Sequence, residues 1–109
     1  MQLQIRIMSF TAIGVSKDID KGLNELGIIT PTKIQMAAIP VLSVENIDFV
    51  GQAQTGTGKT AAFGLPLLER VDTSKDYIQA LVLAPTRELG QQIAKQLFKF
   101  TKYSEQDFY

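Results

Sequence analysis

The sequence predicts an α/β fold in which parallel strands are flanked by helices. Two short apolar segments, 47–51 and 78–84, have the composition of buried strands. Helical segments come before, between and after them, which makes the order helix, helix, strand, glycine-rich turn, helix, strand, helix. The segment 78–84 reads IQALVLA and is nearly all apolar, which is typical of a parallel strand covered on both faces.

The first two predicted helices lie before the first strand. Ser16 is a suitable N-cap for the first helix, and Gly27 is its expected stop. The second helix opens at the Thr30-Pro31 pair, because a capping residue followed by proline is common at helix starts. Pro40 lacks a backbone N–H and is expected to end or bend this helix, with a loop at 43–46.

The last two predicted helices follow the glycine-rich turn and the second strand. One runs from Gly58 through about Val71 and contains Pro66, which should kink it. A polar loop at 72–76 follows this helix. Thr86 is the expected N-cap of the final helix, whose apolar face consists of Leu89, Ile93, Leu97 and Phe100.

The composition excludes several chemistries. The 109 residues (12.0 kDa) contain no Cys and no His, which rules out a disulfide framework, a Cys/His zinc site and a Ser-His-Asp triad. Eleven Lys and Arg residues balance eleven Asp and Glu residues, so phosphate binding must depend on local geometry and not on overall basic charge. The sequence has no signal-peptide or membrane-spanning pattern, so we expect a cytoplasmic protein, with Met8 as a second possible start.

Residues 53–60 read AQTGTGKT and have the composition of a phosphate-binding loop. Gly56 and Gly58 allow a tight turn in which backbone N–H groups face an anion, and the following helix adds its positive end. Lys59 can contact the β- and γ-phosphates of a nucleotide, and the Thr60 hydroxyl is suited to Mg²⁺. The alternative is a glycine-rich turn without a ligand, which the flanking strand and helix disfavour. The predicted nucleotide-binding residues of this loop are Ala53, Gln54, Thr55, Gly56, Thr57, Gly58, Lys59 and Thr60.

With Ala in its first position, this loop resembles motif I of the DEAD-box ATP-dependent RNA helicases. Residues 26–35 (LGIITPTKIQ) resemble that family's Q motif, and residues 85–90 (PTRELG) resemble its motif Ia. Phe10 lies 17 residues before Gly27, which is the family's spacing for an isolated aromatic residue. These ordered motifs extend the resemblance from residue 8 to about residue 106.

The resemblance implies a partial RecA-like P-loop domain. We expect an N-terminal extension at 1–9, a Q-motif region at 10–36, and the N-terminal part of the first RecA-like ATP-binding domain at 37–109. ATP and Mg²⁺ are the implied cofactors and RNA is the implied partner. The implied activity of the family couples ATP hydrolysis to the unwinding of RNA duplexes.

Gln35 is the expected reader of the adenine base. Its amide offers an acceptor and donors in a fork that matches N6 and N7 of adenine and mismatches O6 and N7 of guanine. Phe10 is expected to stack on the base, and the resemblance implies backbone contacts near Ile28 and Thr30. The alternatives are that Gln35 is an exposed helical residue and that Phe10 is a core aromatic. Ile28 stands where the family usually has Phe or Tyr, which removes an aromatic contact near the base.

Pro85, Thr86 and Arg87 are the candidate RNA contacts, because they join the end of a predicted strand to the start of a helix. The Thr86 hydroxyl, the Arg87 guanidinium and free helix N–H groups can all donate to a phosphate without reading a base. The alternatives are simple N-capping for Thr86 and a surface salt bridge for Arg87. A solvated helical face is expected for Lys95, Lys99 and Lys102.

The Asp-Glu-Ala-Asp sequence of the family's motif II does not occur in these 109 residues. Phosphoryl transfer needs a held metal, a positioned water and transition-state cations together. We therefore expect the chain alone to be inactive and to need the missing downstream helicase half. The resemblance also implies that strands from later in the family's sequence lie between segments 47–51 and 78–84. Without them, these two segments would lack partners for their backbone hydrogen bonds, which predicts marginal stability and aggregation. The alternatives are a truncated fragment, a regulatory nucleotide- or RNA-binding module, and a different P-loop enzyme such as a small kinase.

Overall fold

The structure, a computed structural model, describes residues 9–44, 46–53 and 58–104. Across these residues the chain forms a 3₁₀ turn at Thr11–Ile13 and the helices α1 (Lys17–Glu25), α2 (Lys33–Val44), α3 (Lys59–Arg70) and α4 (Arg87–Phe100). Helix α3 packs against α2 on one side and α4 on another, and α1 packs against α4. Within the described ranges, no helix is long and apolar enough to cross a membrane.

Helix α1 begins and ends close to its predicted bounds. Ser16 occupies the N-cap position, where its backbone N–H donates to Glu69 Oε1 of α3 at 2.8 Å. Gly27 has a φ of +81°, and the N–H of Ile28 donates to the carbonyl of Leu23 at 2.9 Å. This is the left-handed glycine ending of a Schellman motif, and it turns the chain towards α2.

Helix α2 begins later than predicted, because its capping residue is Thr32 and not Thr30. The Gln35 N–H donates to Thr32 Oγ1 at 3.4 Å, and the Thr32 N–H donates to Gln35 Oε1 at 2.9 Å. These two bonds form a reciprocal capping box, which satisfies N–H groups that a helix start otherwise leaves free.

Pro40 does not end α2, which continues to Val44. Of the two outcomes expected at Pro40, an end of the helix is therefore wrong. Residues 43 and 44 of the loop expected at 43–46 belong to the helix. Proline removes one helical hydrogen bond, but Ala38 and Ile39 beside it are buried. Burial of these apolar side chains offsets the lost hydrogen bond, so the helix continues past Pro40.

The hydrophobic core lies where the 3₁₀ turn and the helices converge. Its fully buried large side chains are Phe10, Leu23, Ile39, Leu65 and Phe100. Burying a side chain of this size stabilises the fold by about 1.5–3 kcal/mol. The core therefore joins the residues before α1 to α3 and to the end of α4.

Two glycines allow the helices to approach closely. A Cβ at Gly22 of α1 would lie 2.8 Å from the carbonyl oxygen of Phe100, and a Cβ at Gly64 of α3 would lie 2.5 Å from Leu97 Cδ2. Any larger residue at Gly22 would collide with backbone, which moves less easily than a side chain. The crossing of α1 and the end of α4 therefore depends on Gly22.

A polar cluster also joins α1 to the residues after α4. Lys102 Nζ lies 3.0 Å from Glu25 Oε2, and the Tyr103 hydroxyl donates to Glu25 Oε1 at 2.8 Å. Lys21 Nζ lies 4.4 Å from the centroid of the Tyr103 ring. The hydrogen bond from Lys102, followed by that from Tyr103, lowers the pKa of Glu25. Because these groups are exposed, the cluster contributes little to stability.

The loop predicted at 72–76 is confirmed. The Asp72 carboxylate accepts the Ser74 hydroxyl at 2.6 Å and the Ser74 N–H at 3.0 Å, and these bonds lower the pKa of Asp72. The Gln79 side chain accepts from the Asp72 N–H and donates to the Asp72 carbonyl, at 2.9 and 2.7 Å. The conformation of this loop is therefore stabilised by the side chains of Asp72, Ser74 and Gln79.

The two predicted strands, 47–51 and 78–84, form no paired strand within the described residues. Their apolar side chains are largely exposed, with Val50 97%, Ile78 90% and Leu83 85% accessible. The expectation that 78–84 is covered on both faces is therefore wrong for this structure. A strand satisfies its backbone groups only through a neighbour, and the described helices do not provide one.

Replacing Gly22 by Ala is predicted to destabilise the protein by about 1–3 kcal/mol, because the new methyl group meets the Phe100 carbonyl. The matched control is Gly90→Ala in α4, where the nearest atom to a Cβ is Ala84 Cβ at 3.8 Å. Gly90→Ala should stabilise the helix by up to about 1 kcal/mol. Urea denaturation measures both changes, and equal effects of the two variants would contradict this view of the α1–α4 crossing.

The exposed segment 78–84 is predicted to make the 109-residue chain marginally stable and prone to aggregation. Leu81→Lys should raise the solubility and leave the helical circular-dichroism signal unchanged, because Leu81 is exposed. Leu65→Lys, at a fully buried position of α3, should abolish that signal. A sharp, reversible thermal transition of the unmodified chain would contradict the prediction.

Candidate functional site

The start of α3 carries the described end of the predicted phosphate loop. Gly58 is the N-cap residue, with a φ of +83°, and its carbonyl accepts the Ala62 N–H at 3.1 Å. Lys59 follows with an exposed side chain, and Thr60 is half-buried. The predicted residues Gln54, Thr55, Gly56 and Thr57 lie outside the described residues, and Ala53 is half-buried just before them.

This helix start is suited to an anion. The first N–H groups of α3 have no partner within the helix, and the helix dipole is positive at this end. Lys59 adds a full positive charge beside them. Together these groups can hold a phosphate without help from the net charge of the chain.

Thr60 is the described residue at this helix start that best fits a role with Mg²⁺. The described residues contain no group of three or more His, Cys, Asp or Glu side chains that could hold a metal ion. Mg²⁺ commonly keeps several waters and takes its other ligands from substrate phosphates and one or two protein oxygens. The residues present therefore fit a metal held mainly by the nucleotide, with the Thr60 hydroxyl as a protein ligand.

Gln35 lies against the phosphate loop and not on the surface. Its side chain is 2% exposed, so the alternative of an exposed helical residue is wrong. The carboxamide nitrogen donates to the Gly58 carbonyl at 3.1 Å, while the carboxamide oxygen accepts the Thr32 N–H. The structure therefore brings the two most informative predicted residues, Gln35 and Gly58, into direct contact.

The same contact explains the glycine at position 58. A Cβ there would collide with Gln35 Nε2 and lie 3.4 Å from Thr32 Cγ2. The positive φ of Gly58 also disfavours any other residue. Gly58 is therefore needed for the approach of Gln35 as well as for the turn.

Phe10 is a core residue in this structure. Its ring is 0% exposed and packs in the same cluster as Val15, Leu23 and Ile39. The expectation that Phe10 stacks on a base is therefore corrected, because no face of the ring is free to receive one. Its buried position agrees with the alternative interpretation of a core aromatic.

The other residues predicted near the base are less buried than Gln35. Ile28 is half-buried and packs against the core cluster, and its N–H is held by the carbonyl of Leu23. Thr30 is exposed in the segment before α2. These positions leave the Thr30 backbone accessible and commit the Ile28 side chain to the core.

Thr32 is a site residue that the sequence reasoning missed. Its hydroxyl and its N–H both bond to Gln35, so it orients the side chain that contacts Gly58. The signal was present in the sequence, because Thr-x-x-Gln at 32–35 is the pattern of a capping box.

The candidate nucleic-acid contacts are exposed at the start of α4. Thr86 Oγ1 accepts the Leu89 N–H at 3.2 Å, which confirms N-capping, and Pro85, Thr86 and Arg87 are all accessible. One open groove is lined by Lys59 and Thr60 of α3 and by Leu89 and Ile93 of α4. The groove therefore connects the start of α3 to α4, the helix that begins at Arg87.

Comparisons with known proteins identify the family to which the chain belongs. A sequence model described as DEAD/DEAH box helicase matches residues 32–108. The chain is 48% identical over 91 residues to the DEAD-box ATP-dependent RNA helicase CshA of Geobacillus kaustophilus, and 48% identical over 92 residues to CshA of Bacillus subtilis. Each alignment covers 84% of this chain but only 19% and 18% of the relative, so the chain spans about a fifth of their length.

Solved structures of DEAD-box proteins also match this chain. The chain aligns with a DEAD box protein from the hyperthermophile Methanococcus jannaschii at a TM-score of 0.80 and 38% identity, over 86% of this chain and 26% of that one. It aligns with S. cerevisiae Dbp5 bound to RNA and ADP BeF3 at a TM-score of 0.81 and 37% identity, over 89% and 25% of the two chains. These neighbours are RecA-like helicase domains. With most of its length matched by the family's sequence model and by family structures, the chain belongs to the DEAD/DEAH box helicases.

Proposed function

We propose that this chain is the ATP-binding and RNA-backbone-contacting front end of an ATP-dependent RNA helicase that couples ATP hydrolysis to RNA unwinding. One observation carries the proposal: Gly58, Lys59 and Thr60 begin α3, and the Gln35 amide is bonded to Gly58. The family match is consistent with it, since the relatives are named ATP-dependent RNA helicases and Dbp5 was solved with RNA and a nucleotide analogue.

In this proposal the triphosphate of ATP binds at the start of α3. The free N–H groups of the first turn donate to phosphate oxygens, and Lys59 neutralises part of their charge. The Thr60 hydroxyl would hold Mg²⁺ together with the phosphates, and the ion would supply positive charge against the β- and γ-phosphates. The residues at 53–57 complete the loop.

Adenine is recognised in this proposal by the segment before and within α2. Gln35 selects adenine over guanine through the amide fork, and backbone groups near Ile28 and Thr30 complete the pocket. Phe10 has no part in this pocket, because its ring belongs to the core cluster. The proposed domain organisation is a Q-motif region at 10–36 followed by the N-terminal part of the first RecA-like ATP-binding domain at 37–109.

RNA binding is assigned to the start of α4. The Arg87 guanidinium, the Thr86 hydroxyl and the first N–H groups of α4 can donate to backbone phosphates, while Pro85 ends the preceding extended segment. Contacts of this kind position a strand without reading its sequence.

Catalysis and strand pairing are assigned to the rest of the helicase. The acidic motif that would hold the metal through water does not occur in the 109 residues, so we expect binding without hydrolysis.

Segments 47–51 and 78–84 become parallel strands when the downstream half supplies neighbours, and their exposed apolar side chains support this. The same two observations favour the second candidate, a nucleotide- or RNA-binding module without its own catalytic activity. Either form is expected in the cytoplasm.

Lys59→Ala is predicted to weaken ATP binding by at least about tenfold, because it removes a charge-assisted contact to phosphate. Isothermal titration with Mg²⁺-ATP measures the change, and Lys17→Ala, at the exposed start of α1, is the matched control. Wild-type chain that binds no ATP would contradict the proposed function. Hydrolysis of ATP by the 109 residues that disappears in Lys59→Ala would contradict the expected inactivity.

Arg87→Ala is predicted to weaken binding of single-stranded RNA by about three- to tenfold at low salt, with little dependence on RNA sequence. Lys95→Ala on the same helix removes the same charge and should change the affinity less, because Lys95 is expected on a solvated face. Fluorescence anisotropy with labelled RNA at fixed salt measures both. Equal losses from the two variants would show a general charge effect and remove the specific role of Arg87.

A further inference from the structure

We propose that the cleft between α2 and α3 is a binding site for an apolar monocarboxylate, and that a ligand in this cleft competes with ATP for Lys59. The walls of the cleft come from α2, from α3 and from the segment 47–51. The site itself is argued from the cleft alone, and only the competition with ATP rests on the proposed function.

The cleft has room for a small organic molecule. Its volume is about 280 Å³, whereas an apolar cavity of about 150 Å³ already binds benzene. Ala38 of α2 and Ala62 of α3 are both buried and both line the cleft. Because these two helices contribute only methyl groups at these positions, the space between them stays open. Its volume suits a two-ring aromatic group or an alkyl chain of medium length.

The walls of the cleft are apolar and partly aromatic. They include the side chains of Ile34, Leu42, Phe49 and Phe63. Phe49 is 37% exposed and Phe63 is half-buried, so both rings retain surface that a ligand can cover. Covering such surface removes it from water, which favours a ligand whose larger part is apolar.

Gly51 shapes one wall of the cleft. A Cβ at Gly51 would lie 2.9 Å from Phe49 Cε1 and 3.1 Å from Ile34 Cδ1. The Phe49 ring and the Ile34 side chain therefore both lie against the Gly51 backbone. This contact holds the segment 47–51 on α2 and closes that side of the cleft without a ligand.

The charge of the cleft indicates which polar group the ligand carries. Among the described residues that line the cleft, Lys59 is the one charged side chain, and it is exposed. A lysine can lay its alkyl stem along an apolar wall while its ammonium group stays in water. A carboxylate at the open end of the cleft would accept a charge-assisted hydrogen bond from this ammonium group. The cleft therefore favours an anion over a neutral or cationic molecule of the same shape.

The same lysine connects the cleft to the proposed nucleotide site. Lys59 is the residue proposed to neutralise the phosphates of ATP, and its single ammonium group cannot serve both ligands fully. An apolar carboxylate is therefore expected to raise the apparent Kd of ATP in proportion to its own concentration. Metabolites of this class would then regulate nucleotide binding.

The test uses naphthoate and its neutral analogue naphthamide, which have the same two rings. Both are titrated calorimetrically into wild-type protein, Lys59→Ala and the control Lys17→Ala, at the exposed start of α1. Wild type and Lys17→Ala should bind naphthoate about tenfold more tightly than naphthamide, the effect of one charge-assisted contact. Lys59→Ala should bind the two molecules equally, which a purely structural role of Lys59 would not produce.

Two further variants test the place of binding. Ala38→Leu fills the cleft and should weaken naphthoate binding about tenfold or more, whereas Ala37→Leu, at the exposed neighbouring position, should not. Phe49→Ala removes one aromatic wall without changing a buried helix position, and it should weaken binding about three- to tenfold. Its control is Val50→Ala, since Val50 is 97% exposed. Circular dichroism checks that each variant keeps its helices.

Each way of failing has its own meaning. Equal affinity for naphthoate and naphthamide in wild type, or naphthoate affinity that is unchanged in both Ala38→Leu and Phe49→Ala, would overturn the site. An ATP affinity that does not change with naphthoate would overturn the competition. ATP binding without naphthoate binding would overturn this inference and leave the proposed function standing. Naphthoate binding without ATP binding would confirm the site and contradict the proposed function.

Discussion

The Gln35 carboxamide bonds to the start of its own helix, α2, and to the residue that caps α3. Helices α2 and α3 pack along each other, and this bond sets the register of their starts. Gly58 must be glycine because Gln35 occupies the space of a side chain there. Lys59, the residue after Gly58, is exposed at the start of α3. The segment proposed to recognise a base and the segment proposed to bind phosphate are in this way parts of one hydrogen-bonded unit.

Local signals in the sequence predicted the helices well. The glycine at position 27 and the threonine at position 86 mark helix ends that the structure confirms, because their effects act within a few residues. The Thr30-Pro31 pair predicts the start of α2 two residues too early, because the Thr-x-x-Gln pattern at 32–35 forms the cap. Pro40 was overestimated, because the burial of its neighbours depends on packing against α3 and cannot be read from α2 alone.

The predictions that failed depend on contacts between distant parts of the chain. Phe10 was assigned to a base from its spacing to Gly27, but its burial comes from α1, α2 and α3. Segments 47–51 and 78–84 have strand composition, yet pairing requires neighbours that the described helices do not supply. The contact between Gln35 and Gly58 likewise spans 23 residues of sequence. Motif spacing suggested that the two share a ligand, and the structure adds that they bond to each other.

The most direct test of this account is the amide hydrogen exchange of Thr32, followed by NMR in wild-type protein and in Gln35→Ala. The Thr32 N–H is bonded to the Gln35 carboxamide, whereas the Met36 N–H of the same helix turn is bonded to the Thr32 carbonyl. The account predicts that Thr32 is protected in wild type and loses protection in Gln35→Ala, while Met36 stays protected. Equal exchange of Thr32 in the two proteins would contradict the Thr32–Gln35 hydrogen bond, on which the orientation of the Gln35 carboxamide towards Gly58 depends.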